Sequence, residues 1–291
     1  MHSIQLVLDA KAELGEGPSW DSRRKVLYWV DITRQKLHLY NPTKKTHTIF
    51  DTGQYIGSVV PRKSGGIVMT LKHGFYAYEF ETGNMTFIGA VELDKPNNRF
   101  NDGKCDAAGR FWAGTMSHDS TPNVGAFYCL DTDWSIKKVL ENVSISNGIA
   151  WSPDNSTMYY IDSLTNKVMA YDYDLATATI SNPRVAVSIP NNFVFPDGMT
   201  SDEEGMIWVA MWNGSAVTRW NPKTGKLLEI VNVPATRTTS CVFGGDDLHE
   251  LYITSARIGL EEKILAKEPY AGGLFVVNTK VRGLPTYAFG G

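Results

Sequence analysis

The 291-residue sequence predicts an all-β protein: a single domain over residues 1–291, built as a six-bladed β-propeller whose N-terminal strand closes the last blade. Three observations predict it. Helical periodicity is almost absent, and short runs rich in Val, Ile, Tyr, Phe and Trp recur between clusters of Gly, Asn, Asp and Pro, which is the strand-and-turn pattern. Six of these strands each follow a turn at a spacing of roughly 41 to 49 residues, the length that four short strands need in a propeller blade. A further strand, "IQLVLDA", leads the chain ahead of the first repeat.

The repeats read in order. The turn "WDSRRK" near Asp21 introduces "KVLYWVDI" from Lys25, and "QKLHLYNP" follows. "PRKSGG" near Arg62 precedes "GIVMTL" from Gly66. "CDAAGR" near Asp106 precedes "RFWAGTM" from Arg110 and then "GAFYCLDT". "SPDNST" near Ser152 precedes "TMYYIDS" from Thr157 and then "NKVMAYDYD". "SDEEGM" near Ser201 precedes "MIWVAMW" from Met206 and then "SAVTRWNP", and "GGDDLH" near Gly245 precedes "ELYITSA" from Glu250. No Pro/Gly/Ser linker or shift in composition divides the chain, which disfavours a sandwich or two smaller β domains. Trp29, Trp112, Trp208 and Trp212 fall in alternating strands and are expected to pack between blades. Trp212, near a strand end, is the candidate exception.

Composition bounds the function. A hydrophobic content of 43% with 20% charged residues is that of a soluble chain with a real core. A net charge of -3 and no long basic run exclude a general attraction to nucleic acid or anionic membrane. No apolar run approaches a membrane span, and the N-terminus reads as a strand rather than a secretory signal. Cys105, Cys129 and Cys241 show no CxxC spacing and fit reduced, buried thiols of a cytoplasmic protein.

The chemistry concentrates at one phase of the repeat. "NRFNDGKCDAAGRFWAGTM", from Asn98, packs Arg99, Asn101, Asp102 and Lys104 into seven residues, more side-chain forks than a turn requires. Loops entering the repeats carry Glu16, Ser58, Arg99 with Asn101, Asn147, Asp197 and Ser240. Four polar residues stand next to Gly: Glu16, Asp102, Asn147 and Asp197. Turn chemistry explains any one Asn-Gly or Asp-Gly pair, but not oxygen-bearing side chains at one phase, with Glu among them. In a propeller such residues meet near the axis, where carboxylates and an amide suit a hard divalent cation. The six histidines form no HxH or HxxxH pair, which disfavours a histidine metal site. Ser58 and Ser240 have no His-Asp set in sequence and no G-x-S-x-G occurs, which disfavours a serine hydrolase. "GEGPSW" lacks the third Gly and following helix of a phosphate loop.

"GEGPSWD", "LYWVDI", "NNRFNDGKCDAAGRFWAGTM", "ISNGIAWSPDNSTMYYIDS", "FPDGMTSDEEGMIWVAMWNG", "TTSCVFGG" and the closing "AGGLFVV" and "VRGLPTYAFGG" together resemble the senescence marker protein 30 (regucalcin)/gluconolactonase family, in order and over nearly the whole chain. The resemblance implies a six-bladed propeller with one divalent cation that hydrolyses sugar lactones, aldono-1,5- or 1,4-lactones such as gluconolactone, to the free acid. It places metal ligands on Glu16, Asn147 and Asp197, with Ca²⁺ the first expectation and Zn²⁺, Mg²⁺, Mn²⁺ or Fe²⁺ the alternatives. It places substrate contacts on Arg99 and Asn101, and a further acidic contact on Asp119 in the lid "SHDSTPNVG", where regucalcin has the longer Glu.

With that resemblance, Arg99 and Asn101 read as hydrogen-bonding handles for the lactone, and Asp197 as the catalytic proton acceptor, with direct attack by a metal-bound hydroxide as the alternative. Asp102 and Lys104 read as structural groups of the loop, Asp102 with the alternative of supporting a metal ligand. His118 beside Asp119 is expected to be an exposed loop histidine rather than a proton acceptor. The expected partner is a small sugar lactone, and the expected assembly a monomer or weak homo-oligomer. Three alternatives stand beside the lactonase: a calcium-binding regulator, a non-catalytic interaction propeller, and a hydrolase of organophosphate or aryl esters.

Overall fold

The protein is described by a computed structural model over residues 3–190 and 194–291. Strand β1 (Ile4–Leu8) comes first, followed by a meander of β2 (Gly15–Asp21), β3 (Val26–Asp31), β4 (Lys36–Asn41) and β5 (Thr46–Asp51). The next three meanders are β6 (Ile56–Pro61), β7 (Ile67–Leu71), β8 (Gly74–Tyr78) and β9 (Met85–Ala90); β10 (Asn98–Cys105), β11 (Phe111–Ser117), β12 (Gly125–Leu130) and β13 (Ile136–Val143); and β14 (Ser146–Trp151), β15 (Thr157–Asp162), β16 (Lys167–Asp174) and β17 (Thr179–Ser188). Then come β18 (Phe195–Ser201), β19 (Ile207–Trp212), β20 (Ala216–Asn221) and β21 (Lys226–Asn232), and last β22 (Arg237–Gly244), β23 (Glu250–Ala256) and β24 (Leu274–Asn278).

The first four meanders are separate four-stranded antiparallel sheets. In the last sheet β1 pairs antiparallel with β24, so the leading strand becomes its outer strand. A single residue pair, Trp212 with Arg237, joins that sheet to the meander beginning at β18. Helix among the described residues is limited to one short turn at Glu262–Leu265 and a 3-10 turn at Ser163–Thr165. The protein is all-β.

Burial falls from the first strand of each meander to the fourth. Every residue of β2, β6 and β14 is buried, whereas β5, β9 and β17 are largely exposed. The second strands are buried on both faces and read as near-continuous apolar runs, as "VLYWVD" does in β3. Apolar clusters fill the spaces between neighbouring sheets. One joins Tyr28 and Val30 to Ile56 and Met69, and another joins Trp20 and Trp29 of the first sheet to Phe243 and Phe275 of the last. Each fully buried side chain of this size contributes about 2 kcal/mol. Trp29, Trp112 and Trp208 lie in these interfaces, as expected for packing residues.

The first strands lie side by side in chain order, β2 against β6, β6 against β10, β10 against β14, β14 against β18, β18 against β22, and β22 against β2. The repeat turns cap one end of this array. Asp106 accepts from the Arg110 N–H and from Trp112 Nε1 at 2.9 Å, and Asp202 likewise accepts from Met206 N–H and Trp208 Nε1 at 2.9 Å. The C-terminal segment crosses the same end, with Phe289 N–H on Pro61 O, Gly290 N–H on Gly109 O and Leu284 N–H on Ser201 O. The opposite end carries the starts of the first strands.

Candidate metal centre and binding cavity

Every first strand breaks register with its neighbour at one height. The breaks fall between Glu16 and Ser19, Ile56 and Ser58, Phe100 and Gly103, Ser146 and Ile149, Pro196 and Met199, and Thr238 and Ser240. A bulge of this kind bends the strand and re-aims a side chain, which suits a site. Asn101, Asn147 and Asp197 sit in the breaks, and Glu16 is the last paired residue before its own. These residues therefore lie inside strands, not in the loops expected from sequence. Gly148 shows why Gly follows: a Cβ there would come 2.6 Å from Met199 Cβ and 2.7 Å from Asp197 O of the adjacent first strand.

Glu16, Asn147, Asp197, Arg99 and Asn101 line one cavity of about 410 Å³. Glu16 is 5% exposed, Asn147 4% and Asp197 4%, so water does little to stabilise the two carboxylates. Burial first, and then the neighbouring Asp102 carboxylate, push Glu16 up to about 8. Burial, Glu16 and Asp102 likewise hold Asp197 well above the usual carboxylate range. Asp197 Oδ1 is buried with no hydrogen-bond partner. Arg99 offsets part of the negative charge, and burial draws its own pKa down to about 10.

A polar chain fixes the amides. Arg99 Nη1 donates to Asn101 Oδ1 at 2.8 Å and to Phe100 O at 2.9 Å. Asn101 Nδ2 donates to Asn147 Oδ1 at 2.9 Å and to Ser146 O at 2.8 Å. Asn147 Nδ2 donates to Ser163 Oγ at 2.8 Å, which donates to Pro196 O at 2.7 Å. With its NH₂ tied to Ser163, Asn147 presents its oxygen. Two carboxylates, one with an orphaned oxygen, and an oriented amide oxygen form a donor set that fits a hard divalent cation. Among the described residues no three His, Cys, Asp or Glu side chains form a metal cluster, because the third oxygen here is an amide.

The other candidates fall outside this set. Asp119 is exposed and absent from the cavity wall; its Oδ1 accepts from Ser117 Oγ at 2.5 Å, Thr121 N at 3.1 Å and Thr121 Oγ1 at 2.7 Å. Its neighbours His118 and Ser120 line the cavity instead. His118 is exposed, as expected, with its ring 4.7 Å from that of Tyr55. Asp102 accepts from Gly103 N–H at 2.7 Å, and Lys104 Nζ donates to Met199 O at 2.5 Å on the next-but-one first strand. Both act in the framework behind the cavity. Cys105, Cys129 and Cys241 are buried free thiols.

Sequence reading missed Ser163, Arg237 and an apolar side of the wall formed by Leu14, Met116, Phe195 and Ile258. Trp212, the expected exception among the tryptophans, does line the cavity. Arg237 precedes its register break by two residues just as Arg99 does, an equivalence that appears only once the strands are paired.

Fold and site together define an all-β protein with one buried acid–amide cavity at the open end of its first strands. The description "SMP-30/Gluconolactonase/LRE-like region" matches residues 14–257, and the chain belongs to this family. It is 43% identical to regucalcin of Oryctolagus cuniculus over 294 residues, covering 99% of this chain and 98% of that one. A luciferin-regenerating enzyme structure superposes with a TM-score of 0.92 at 33% identity, covering both chains fully. A regucalcin from Agrobacterium tumefaciens, described as a calcium-binding protein, superposes with a TM-score of 0.95 at 27% identity, over 99% of this chain and 97% of that one. Among the described residues no helix is long and apolar enough to cross a membrane.

Proposed function

We propose that the chain is a six-bladed propeller acting as a divalent-metal-dependent lactonase, which opens sugar lactones such as gluconolactone to the free acid. Membership of a gluconolactonase-containing family supports the reaction class. The cyclic order of the first strands, with β22 against β2, supports six blades. The single observation that carries the site is the meeting of Glu16, Asn147 and Asp197 in one cavity with Arg99 and Asn101, Asp197 Oδ1 being buried and unpartnered.

Glu16, Asn147 and Asp197 would hold the cation, with Ca²⁺ the first expectation; a bound dication supplies Lewis acidity toward the lactone carbonyl and stabilises developing negative charge. Arg99 has three N–H donors left after its contacts to Phe100 and Asn101, enough to orient hydroxyls of the sugar. Asp197, with an oxygen that no protein donor engages, takes a proton from the attacking water as it closes on the carbonyl carbon. The bond from the carbonyl carbon to the ring oxygen then breaks, and the ring oxygen takes the proton held by Asp197 to become the hydroxyl of the open acid.

The apolar side of the wall favours a second reading, hydrolysis of aryl or organophosphate esters. The test is metal-stripped protein reconstituted with each ion in turn and assayed on gluconolactone, xylonolactone and an aryl ester. Ion-dependent turnover of the lactones supports the proposal. Turnover of the aryl ester alone favours the second reading, and no turnover with any ion leaves a binding protein.

A further inference from the structure

Arg237 opens β22 two residues before the break at Thr239, and Arg99 lies two residues before the break at Asn101. In the cyclic order of first strands β10 and β22 are three places apart, so these two guanidiniums enter the cavity from opposite walls. Their surroundings differ. Arg99 is compensated by Glu16 and Asp197. Arg237 has no carboxylate within ion-pair distance among the described residues, and burial alone lowers its pKa. Glu268, which reaches the preceding residue, has its carboxylate taken by the N–H and hydroxyl of Thr236.

The Arg237 guanidinium is nonetheless held. Its carbon lies 4.7 Å from the ring centroid of Trp212, and Nη2 donates to Gly259 O at 3.2 Å. Its Nε is buried with no partner. Guanidinium stays charged at any physiological pH. The residue is half-buried, so part of its hydration is lost without an anion to replace it, and the outward face of the planar fork matches a carboxylate or phosphate in two-point contact.

We propose that Arg237 is a specificity residue that binds an anionic substituent, carboxylate or phosphate, at the end of the substrate opposite that held by Arg99, so that the preferred substrates are acidic sugar lactones. This rests on the lactonase reading above. Trp212 acts with it, as the face that keeps the fork aimed.

The test compares kcat/KM on neutral glucono-1,5-lactone with that on glucaro-1,4-lactone, which adds a carboxylate, and on 6-phosphoglucono-1,5-lactone, which adds a phosphate. The wild-type protein is expected to favour at least one anionic lactone by about tenfold or more, and which one identifies the anion. Arg237→Gln should lower the anionic-to-neutral ratio by about tenfold, mainly through KM, and Arg237→Lys should restore part of it. A wild-type protein with no anionic preference, or a ratio unchanged in the variants, overturns the assignment. If no lactone is hydrolysed, the lactonase reading fails separately. Calorimetric binding to the cation-loaded protein then decides: glucarate held more tightly than gluconate, with the difference lost in Arg237→Gln, supports the anion site, and equal binding overturns it.

Discussion

Asn101 Nδ2 donates to Asn147 Oδ1 at 2.9 Å across 46 residues of chain. The two residues occupy register breaks of adjacent first strands, so the bond is made by the bulges and not by local sequence. On its other side Asn147 is anchored through Nδ2 to Ser163 Oγ, and that hydroxyl to Pro196 O. The amide cannot flip without leaving Ser163 unsatisfied. Orientation of the amide oxygen is therefore set by groups that are not themselves ligands.

Ser163→Ala removes that anchor without touching a charge. Groups that orient a metal ligand typically contribute a factor of about 10 to 100 in affinity. The variant should bind Ca²⁺ at least about tenfold more weakly in a titration of metal-stripped protein, and should lose about 1–3 kcal/mol of stability before metal is added because Asn147 Nδ2 and Pro196 O are left buried without that hydroxyl. Unchanged affinity would mean that packing alone orients Asn147.

Asp197 and Arg99 should separate kinetically. Asp197→Asn keeps the shape but removes the proton acceptor, so kcat is expected to fall by about 10²- to 10⁴-fold. Arg99→Ala should raise KM and leave more of kcat, because its donors face bound substrate. Steady-state kinetics on gluconolactone under saturating cation checks both. Near-normal turnover in Asp197→Asn would remove it from the proton transfer.

Gly148→Ala places a methyl against Met199 Cβ and Asp197 O, both parts of the neighbouring first strand. Backbone cannot swing aside as a flexible side chain can. Overpacking of this kind costs about 1–3 kcal/mol, occasionally more. Urea unfolding should show a stability lower by that amount, read as a lower midpoint at an unchanged slope, and the cation should bind more weakly because Asp197 is displaced with its strand.

The second and third strands were legible because alternating or continuous apolar runs between Asp- and Gly-bearing turns leave little other choice; "TMYYIDS" became β15 and "NKVMAYDYD" became β16. The first strands were not. "GEGPSWD", "NRFNDGKC" and "FPDGMTS" contain the Gly, Pro, Asn and Asp that strands usually avoid, and read as loops. The bulges reconcile composition with structure: Gly admits the next strand and the polar residue is turned inward. Ser163 left no trace because it acts through Asn147 from the turn after β15. The position of Asp119 depends on lid hydrogen bonds that no motif encodes.

His38 carries the last prediction. Its ring stacks on Trp29 at 3.7 Å, its Nδ1 meets His47 Nε2 at 2.9 Å, and its Nε2 is buried without a partner. Burial first, then His47 and Lys36, lower its pKa to about 3, and burial lowers that of His47 as well. An unfolded histidine titrates near its ordinary value of about 6.5. Between those values the unfolded chain binds more protons than the folded one. The contribution is therefore complete above about pH 6.5 and is lost as pH falls toward 3, at up to about 1.4 kcal/mol per pH unit for one proton. Urea midpoints measured between about pH 7.5 and 4.5 should fall in the wild-type protein and fall less in His38→Phe, which keeps a ring against Trp29 but takes up no proton. Parallel pH profiles for the two proteins would assign the acid sensitivity to groups other than this pair.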